Sequence, residues 1–293
     1  MEALVRGILL AGGTGSRLRP ATLVSSKHLL PVYDKPLIYY SLTNLMLAGI
    51  REILIICAPA DRSSYERLLG SGQQLGLEIT YAEQASPRGI AEALTIGESF
   101  ISGDSTCLAL GDNIFHGSGL SVLFRQLGAL KSGASILLRR VPDPERFGVA
   151  EINSVGKVIS IEEKPINPKS NLAITGLYFF DETAVARVNG LTPSARGELE
   201  ITDLNKSYLE DDLLQSQELP RGTMWLDTGT ANSMLDASLY VKSVQEHSGQ
   251  LVGSPEEVAW RQGWISEREA TTMAFALKSN YGQLLLTTLQ RGI

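Results

Sequence analysis

The chain reads LLAGGTGSRL at residues 9–18, where an apolar run gives way to three glycines in four positions and then to a basic residue. Glycine lets backbone N–H groups approach an anion because no Cβ stands in the way. A loop of this kind at the end of a strand is typical of a phosphate cradle. Taken alone, the same loop fits a plain strand-to-helix turn equally well.

Two better-known phosphate motifs are missing from this segment. The chain contains no G-x-x-x-x-G-K-[ST] sequence, which excludes a P-loop. The dinucleotide fingerprint G-x-G-x-x-G fails because Leu18 stands where the third glycine belongs. A dinucleotide-dependent oxidoreductase is therefore disfavoured.

Composition and charge indicate an ordinary soluble enzyme. The 293 residues are 43% hydrophobic and carry a net charge of −6, so no basic field favours nucleic acid or an anionic membrane as a partner. Cys57 and Cys107 each lie in an apolar run, which predicts buried, reduced thiols rather than a disulfide or zinc site. The sequence shows no signal peptide and no apolar run of transmembrane length, so we expect a cytoplasmic protein.

Strand-like and helix-like segments alternate over residues 1–140. This alternation predicts an α/β fold, a Rossmann-like, mostly parallel central sheet with helices on both faces. The predicted segments include a single helix over Gly89–Ser99 and a fifth strand over Ala134–Arg139. Ligands bind beyond the carboxyl ends of such strands, where the glycine loop and Asp112 would lie.

The pattern changes after Val141, which predicts a different arrangement for the second part of the chain. Residues 148–162 read as a hairpin at the sheet edge, the core of a small β-rich insertion. A threonine is expected to cap a helix that begins at Ala231. We predict one domain over residues 1–250, with halves 1–140 and 141–250, and a C-terminal helical extension of three helices over 251–293 that serves packing or oligomerisation.

Charged residues follow several apolar runs in loop-like sequence. Asp112 and Asp227 offer oxygen ligands for Mg²⁺, although a turn-forming aspartate and a helix N-terminal acid explain them equally simply. Glu163 and Lys164 suit recognition of a sugar hydroxyl and a phosphate, with a solvated charge cluster as the alternative. The amide of Gln84 suits a pyrimidine edge, although a plain surface glutamine is also consistent.

Six motifs, taken together, resemble one family. They cover residues 10–18, 26–36, 110–115, 162–165, 196–203 and 225–229, and they keep the family order to residues 280–283. The chain resembles the glucose-1-phosphate thymidylyltransferases, which belong to the sugar nucleotidyltransferases. The resemblance covers almost the whole chain, and the motifs are specific as a set.

The resemblance implies a role for each matching residue. Arg17, Lys27 and Lys164 would be catalytic, and Asp112 and Asp227 would bind Mg²⁺. The nucleotide would be held by Leu10, Ala11, Gly12, Gly13, Thr14, Gly15, Arg17, Lys27, Gln84, Gly89 and Asp112. The sugar phosphate would be held by Asn113, Gly148, Glu163, Lys164, Ile174 and Thr175. Residues 1–140 would then form the nucleotide-binding half and residues 141–250 the sugar-binding half.

The resemblance also implies substrates and partners. The substrates would be dTTP and glucose 1-phosphate, the assembly a homotetramer, and a downstream nucleotide sugar could inhibit at a second site. Two residues depart from the family pattern: His28 stands where glutamine is usual, and Arg88 where the base-reading turn usually carries aspartate. A uridylyltransferase or a transferase for another sugar phosphate is the alternative within the enzyme class, and a non-catalytic nucleotide-sugar sensor is the alternative outside it.

Overall fold

A nine-stranded sheet lies at the centre of the computed structural model, which describes residues 5–292. The strands in chain order are β1 (Val5–Ala11), β2 (Pro31–Val32), β3 (Lys35–Pro36), β4 (Glu52–Cys57), β5 (Glu78–Glu83), β6 (Ser105–Leu110), β7 (Asn113–His116), β8 (Ala134–Arg140), β9 (Gly148–Ile152), β10 (Val158–Glu163), β11 (Leu172–Phe180), β12 (Leu214–Glu218) and β13 (Met224–Asp227). The helices are α1 (Leu37–Leu47), α2 (Arg62–Leu69), α3 (Glu92–Ile96), α4 (Glu98–Ile101), α5 (Leu120–Gly128), α6 (Ala184–Asn189), α7 (Ile201–Glu210), α8 (Ala231–Ser248), α9 (Pro255–Arg261), α10 (Glu267–Leu277) and α11 (Asn280–Arg291).

Four neighbouring strands, β6, β1, β4 and β5, run parallel to one another. Alternate side chains of β1 enter opposite hydrophobic layers, with Leu9 on one face and Ile8 and Leu10 on the other. Burial on both faces explains why β1, β4 and β6 read as mostly apolar runs, whereas the edge strand β5 has exposed residues. The predicted mostly parallel sheet with helices on both faces is confirmed.

The predicted fifth strand is present as β8 and runs in the same direction as β6, but it does not pair directly with the parallel strands. Strand β11 lies between β6 and β8 and is antiparallel to both. All nine residues of β11 are buried, so this strand takes the central position that its apolar sequence favours. The predicted hairpin is confirmed as β9 and β10, which lie at the end of the sheet path.

The helix predicted over Gly89–Ser99 is instead two short helices, α3 and α4, which meet at Gly97. A Cβ at Gly97 would lie 2.8 Å from the Cδ1 of Ile8 on β1. The close approach of this segment to the sheet therefore needs glycine, and the chain bends there. The predicted threonine cap is confirmed, since Thr230 and Ser233 form a capping box at the start of α8.

The three predicted C-terminal helices are present as α9, α10 and α11. A buried polar cluster ties them to the rest of the protein. We call it the anchor cluster, and it consists of Asp34, Lys35, Tyr40, Gln245, Glu256 and Tyr281. Lys35 is 3% exposed, and its Nζ donates to Asp34 at 2.6 Å, to Gln245 at 3.2 Å and to the Tyr40 hydroxyl at 3.3 Å. The Lys35 ammonium also lies 5.0 Å from the centre of the Tyr281 ring on α11.

The sheet passes through both predicted halves of the first domain, and the boundaries at residues 140 and 250 stay predictions. Both cysteines are buried and free, as the apolar runs predicted. No helix within residues 5–292 combines the length and the apolar character that crossing a bilayer requires.

Candidate active site

The glycine loop and the turn that holds Asp112 lie side by side. Strands β1 and β6 are parallel neighbours with Leu10 opposite Leu110, and the Gly111 N–H donates to the Leu10 carbonyl at 2.9 Å. Within the loop, Gly15 has a φ of +56°, and a Cβ there would lie 2.8 Å from the Cγ2 of Thr22. Both segments therefore occupy the sheet edge at which doubly wound folds bind ligands.

A short ladder between β7 and β13 brings Asp227 to Asp112. Asp227 is opposite Asn113, the first residue of β7. The backbone N–H and hydroxyl of Thr228 donate to the Asp112 carbonyl at 3.1 and 2.8 Å. Two acids that are far apart in the sequence thereby become neighbours.

The two carboxylates differ in their pKa values. Burial opposes ionisation of Asp112, but the ion pair with Lys27 and its other neighbours outweigh burial, so the pKa of Asp112 lies well below its usual range. Burial and the charge of Asp112 together raise the pKa of Asp227 to about 6. Asp227 also pairs with Arg146 at 3.2 Å.

These carboxylates could hold a divalent cation. Mg²⁺ prefers oxygen ligands and is usually bound by one or two carboxylates together with substrate phosphates. A cation between Asp112 and Asp227 would relieve the repulsion that raises the pKa of Asp227. Within residues 5–292 no group of three or more His, Cys, Asp or Glu residues is arranged to hold a metal, so substrate oxygens would have to complete the coordination.

Asn113 fixes the position of Asp112. Its Nδ2 donates to Asp112 Oδ1 at 2.9 Å, while its Oδ1 accepts from Trp225 Nε1 at 2.6 Å and from the Gly176 N–H at 3.0 Å. Gly176 lies where the pairing of β11 with β8 shifts register, and a Cβ there would lie 2.6 Å from Asn113 Nδ2. The irregularity in β11 thus allows the backbone to reach the site.

A cavity of about 250 Å³ opens beside the two acids. Eight residues that the sequence predicted for the site line it, namely Arg17, Asp112, Asn113, Gly148, Glu163, Lys164, Ile174 and Asp227. Lys27 does not line the cavity, but it forms an ion pair with Asp112, which does. Gly229 allows a close approach here, because a Cβ would lie 3.0 Å from Arg17 Nη2 and 3.2 Å from Asp227 Oδ2. We call Arg17, Lys27, Asp112, Arg146 and Asp227 the cavity cluster.

Thr175 does not line the cavity. It is fully buried in β11, and its hydroxyl has no hydrogen-bond partner among the described residues. Leu10 and Ala11 form the buried end of β1, while Gly13, Thr14 and Arg17 are exposed in the loop.

Sequence reasoning missed several cavity residues. Thr202 donates its hydroxyl hydrogen to Glu163, and Arg146 pairs with Asp227. Asn205 is 0% exposed and lines the cavity, yet neither polar atom of its amide has a partner within residues 5–292. Thr202 belongs to a motif that carried the resemblance, and its place on one helical face with Asn205 is the signal that could have found both.

Gln84 lies next to the glycine loop, and Gly89 lies against Leu199. Gln84 follows β5, and its Oε1 would lie 2.6 Å from a Cβ at Gly12, so the amide covers the loop. Gly89 has a φ of +107°, and a Cβ there would lie 2.2 Å from the Leu199 carbonyl oxygen. Positions 12 and 89 therefore accept only glycine without rearrangement.

His28 packs behind the turn that holds Gly111 and Asp112. A Cβ at Gly111 would lie 2.6 Å from His28 Cδ2, and the Ser26 hydroxyl lies 3.2 Å from His28 Nδ1. Burial, with a further contribution from Lys27, lowers the pKa of His28 to about 3, so the imidazole is neutral. Its contacts are those of a support and not of a proton donor.

A larger hollow, of about 1940 Å³, lies at the opposite edge of the sheet, where β4 and β5 begin. Its arginines already have partners: Arg51 donates to the Gly76 carbonyl at 2.7 Å, and Arg125 binds the Gln262 side chain. The smaller cavity is the better site, because it combines paired acids, cations and an unpartnered amide.

Comparison with known proteins agrees with this geometry. The sequence profile of a family described as Nucleotidyl transferase matches residues 6–244. A glucose-1-phosphate thymidylyltransferase of Neisseria meningitidis serogroup A is 52% identical over 288 residues, which is 98% of this chain and 100% of that protein. The enzyme of the same name from Mycobacterium tuberculosis H37Rv is 50% identical over 98% of this chain and 100% of its own length.

Solved structures give the same result. A Bacillus anthracis protein assigned as a glucose-1-phosphate thymidylyltransferase, crystallised with sucrose, superposes with a TM-score of 0.75 at 44% identity, covering 80% of this chain and 94% of that one. A UDP-glucose pyrophosphorylase with bound UDP-glucose superposes with a TM-score of 0.71 at 23% identity, over 82% of this chain and 99% of its own, and shows the shared fold alone. The chain therefore belongs to the nucleotidyl transferase family and, within it, to the glucose-1-phosphate thymidylyltransferases.

Proposed function

We propose that this protein transfers the nucleotidyl group of dTTP to glucose 1-phosphate and releases pyrophosphate, with Mg²⁺ held by Asp112 and Asp227. One observation carries the proposal: Arg17, Asp112, Lys164 and Asp227 line one cavity, and Lys27 pairs with Asp112. Two acids and three cations around a single space suit a reaction between two phosphate groups. A sensor that had lost catalysis would be expected to lack one of these groups, and all five are present.

The glycine loop would hold the triphosphate. Leu10, Ala11, Gly12, Gly13, Thr14 and Gly15 bring backbone groups to the sheet edge beside Asp112. Arg17, exposed at the end of this loop, and Lys27 would neutralise the departing pyrophosphate. Gln84 and Gly89, which lie against the loop and Leu199, would contact the base.

The sugar phosphate would lie on the side formed by β9, β10 and α7. Lys164 would bind its phosphate, and Glu163 would bind a sugar hydroxyl while Thr202 holds the carboxylate in place. Asn205 supports this placement because a buried amide without a partner is costly, and a sugar hydroxyl would supply the missing hydrogen bonds. Asn113, Gly148 and Ile174 complete the wall, and Thr175 would act from behind it.

The reaction needs orientation and charge neutralisation more than proton transfer. A phosphate monoester has a second pKa of about 6, so its attacking oxygen is already ionised at neutral pH and no general base is required. Bound Mg²⁺ would polarise the phosphate oxygens and neutralise their charge. Asn113 keeps Asp112 in position, Arg17 and Lys27 face the leaving group, and Lys164 aligns the sugar phosphate for attack in line with the breaking bond.

The proposal also includes the assembly and location that the resemblance implies. We infer a homotetramer, inhibition by a nucleotide sugar at a second site and a cytoplasmic location. The two free, buried thiols fit a reducing compartment. Sedimentation of the purified protein would test the tetramer, and a single monomeric species would contradict it.

A substrate panel tests the reaction. Purified protein is incubated with Mg²⁺, one of dTTP, UTP, dCTP or ATP, and glucose 1-phosphate or galactose 1-phosphate, while pyrophosphate release is followed. We expect the highest kcat/KM with dTTP and glucose 1-phosphate, and no release without a sugar phosphate. An α-thio analogue of dTTP should react with inversion at phosphorus. Retention, or pyrophosphate release from the triphosphate alone, would contradict direct in-line transfer.

A further inference from the structure

The orientation of the Gln84 amide is fixed by its neighbours. Gln84 is 7% exposed, and its Nε2 donates to Glu92 Oε2 at 2.8 Å and, more weakly, to the Gly89 carbonyl at 3.4 Å. Its Oε1 points to Gly12, where a Cβ would approach to 2.6 Å. Because both amide hydrogens face the protein, the atom presented towards the glycine loop is an acceptor.

Glu92 enforces this orientation. It is the first residue of α3 and is 5% exposed. An ionised carboxylate can only accept hydrogen bonds. If the Gln84 amide turned over, its oxygen would face a carboxylate oxygen, and two acceptors would meet in a buried place.

Arg88 in turn holds Glu92. Its Nε donates to Glu92 Oε1 at 2.7 Å, while Oε2 serves Gln84, so each carboxylate oxygen has its own donor. Arg88 can only donate. The polarity of the chain of hydrogen bonds is therefore set from its exposed end: Arg88 donates, Glu92 accepts, Gln84 donates to Glu92 and presents its oxygen to the loop.

We propose that Glu92, held by Arg88, is a positioning residue that makes the site select a base with an N–H group opposite Gln84 Oε1. Thymine and uracil carry N3–H, whereas N3 of cytosine is an acceptor and would face the amide oxygen without a hydrogen. This inference rests on the proposed function, in which Gln84 contacts the pyrimidine. Arg88, which stands where the family pattern has aspartate, then has the specific role of holding Glu92.

The variant Glu92→Gln reverses the polarity with almost no change in shape. Arg88 would then take the oxygen of the new amide, whose NH₂ would face Gln84 and turn the Gln84 amide over. We expect the ratio of kcat/KM for dTTP to that for dCTP to fall at least tenfold. The ratio for dTTP to UTP should stay within twofold, because both bases carry N3–H.

The double variant Arg88→Asp with Glu92→Gln provides the rescue. Aspartate can only accept, so it would take the NH₂ of the new amide and leave the oxygen for Gln84. We expect the dTTP preference over dCTP to return to within threefold of the parent protein. A purely structural role for Glu92 would lower activity with all nucleotides equally and would give no rescue of the ratio.

Glu246→Gln is the matched control, since Glu246 forms an i,i+4 pair with Lys242 at 3.8 Å on the exposed side of α8. Its nucleotide ratios should equal those of the parent protein. An unchanged dTTP-to-dCTP ratio in folded Glu92→Gln overturns the inference. If Glu92→Gln does not fold, Arg88→Ala decides, with a two- to threefold loss of the ratio expected and an unchanged ratio overturning the inference.

Failure of the inference is distinguishable from failure of the proposed function. If the parent protein releases no pyrophosphate with any pyrimidine nucleotide, the proposed function fails, and the inference fails with it. If the parent protein is active and the ratios of the folded variants do not move, only the inference fails.

Discussion

The anchor cluster and the cavity cluster are both charged, and they differ in how fully their groups are partnered. In the anchor cluster, Lys35 Nζ has three oxygen partners, and Gln245 Nε2 donates to the second oxygen of Asp34 at 2.7 Å. In the cavity cluster, Asp112 and Asp227 lie close enough for one to raise the pKa of the other. Asn205, on the wall of the same cavity, has no partner for its amide in the part of the chain that the structure describes.

This difference in partnering distinguishes a cluster that stabilises the fold from a cluster that is arranged for function. A closed, satisfied network holds elements together, and removal of one member leaves a buried charge unpaired. Repulsion between two carboxylates and a nearby buried amide without a partner both lower stability, and a bound ligand can remove both costs. Substitutions in the first cluster should therefore change stability, and those in the second should change activity.

Lys35→Met should have the largest effect, on stability. Loss of the ammonium leaves Asp34, whose side chain is 14% exposed, with only the Gln245 amide as its partner, which costs about 3–5 kcal/mol. The melting temperature should fall by roughly 6–20 °C. Differential scanning fluorimetry measures this, with Lys242→Met on the exposed side of α8 as the control, and kcat of the folded variant at 20 °C should stay within about twofold. An unchanged melting temperature would show that the anchor cluster does not stabilise the fold.

Lys164→Ala should have the next largest effect, on turnover. Loss of a cation from a site of nucleotidyl transfer raises the activation free energy by roughly 2.7–4 kcal/mol, which lowers kcat about 10²–10³-fold. Lys169→Ala removes a lysine that pairs with Glu162 at 2.7 Å outside the cavity, and it should be nearly as active as the parent protein. Equal activity of the two variants would refute the role of Lys164.

Asp227→Asn should raise stability and lower activity in the same variant. In the parent protein the folded-state pKa of Asp227, about 6, lies above the ordinary 3.8. Between these two pH values the native state therefore holds a proton that the unfolded state has released. The resulting stability is present below about pH 3.8 and lost as pH rises through 6. At pH 7 in EDTA the variant should therefore be more stable by roughly 1–3 kcal/mol, yet nearly inactive.

Thermal melts from pH 4 to 7 check this prediction. The advantage of Asp227→Asn over the parent protein should grow as pH rises through 6. A melting temperature below that of the parent protein at pH 7 would show that the carboxylate stabilises the empty site.

Asn205→Leu should have the smallest effect. One lost hydrogen bond to the sugar is worth about 0.5–1.5 kcal/mol, which raises KM for glucose 1-phosphate about 2–10-fold. Stability should stay constant or rise, because an apolar group replaces an unpartnered amide. Ser207→Ala on the same helix, whose hydroxyl binds the Leu204 carbonyl at 2.8 Å, is the control. A fall in stability with unchanged KM would assign Asn205 to the core.

The parallel half of the fold was predictable because β1, β4 and β6 are largely buried and each strand is bounded by a turn. Glu52–Cys57 is apolar from its second residue on, and the helix over Arg62–Leu69 ends at Gly70, so both elements have local signals for their bounds. The acids and cations were also predictable one by one, because each follows an apolar run. The type of each side chain indicated its possible ligand without knowledge of the residues that contact it.

The pairings between distant segments were not predictable. The sequence of β11 does not indicate that this strand lies between β6 and β8, because its apolar residues would suit any central position in the sheet. The four-residue strands β7 and β13 are too short to carry a periodic signal. Arg146 lies in a polar turn whose composition is that of any exposed loop, so only its contact with Asp227 reveals it.

The ladder between β7 and β13 has a consequence for biosynthesis. Thr228 holds the Asp112 carbonyl from 116 positions further along the chain. A nascent chain can expose its glycine loop long before the ribosome has made the second acid. Stalled or clipped N-terminal fragments would then remain catalytically silent and leave the cellular pool of dTTP untouched.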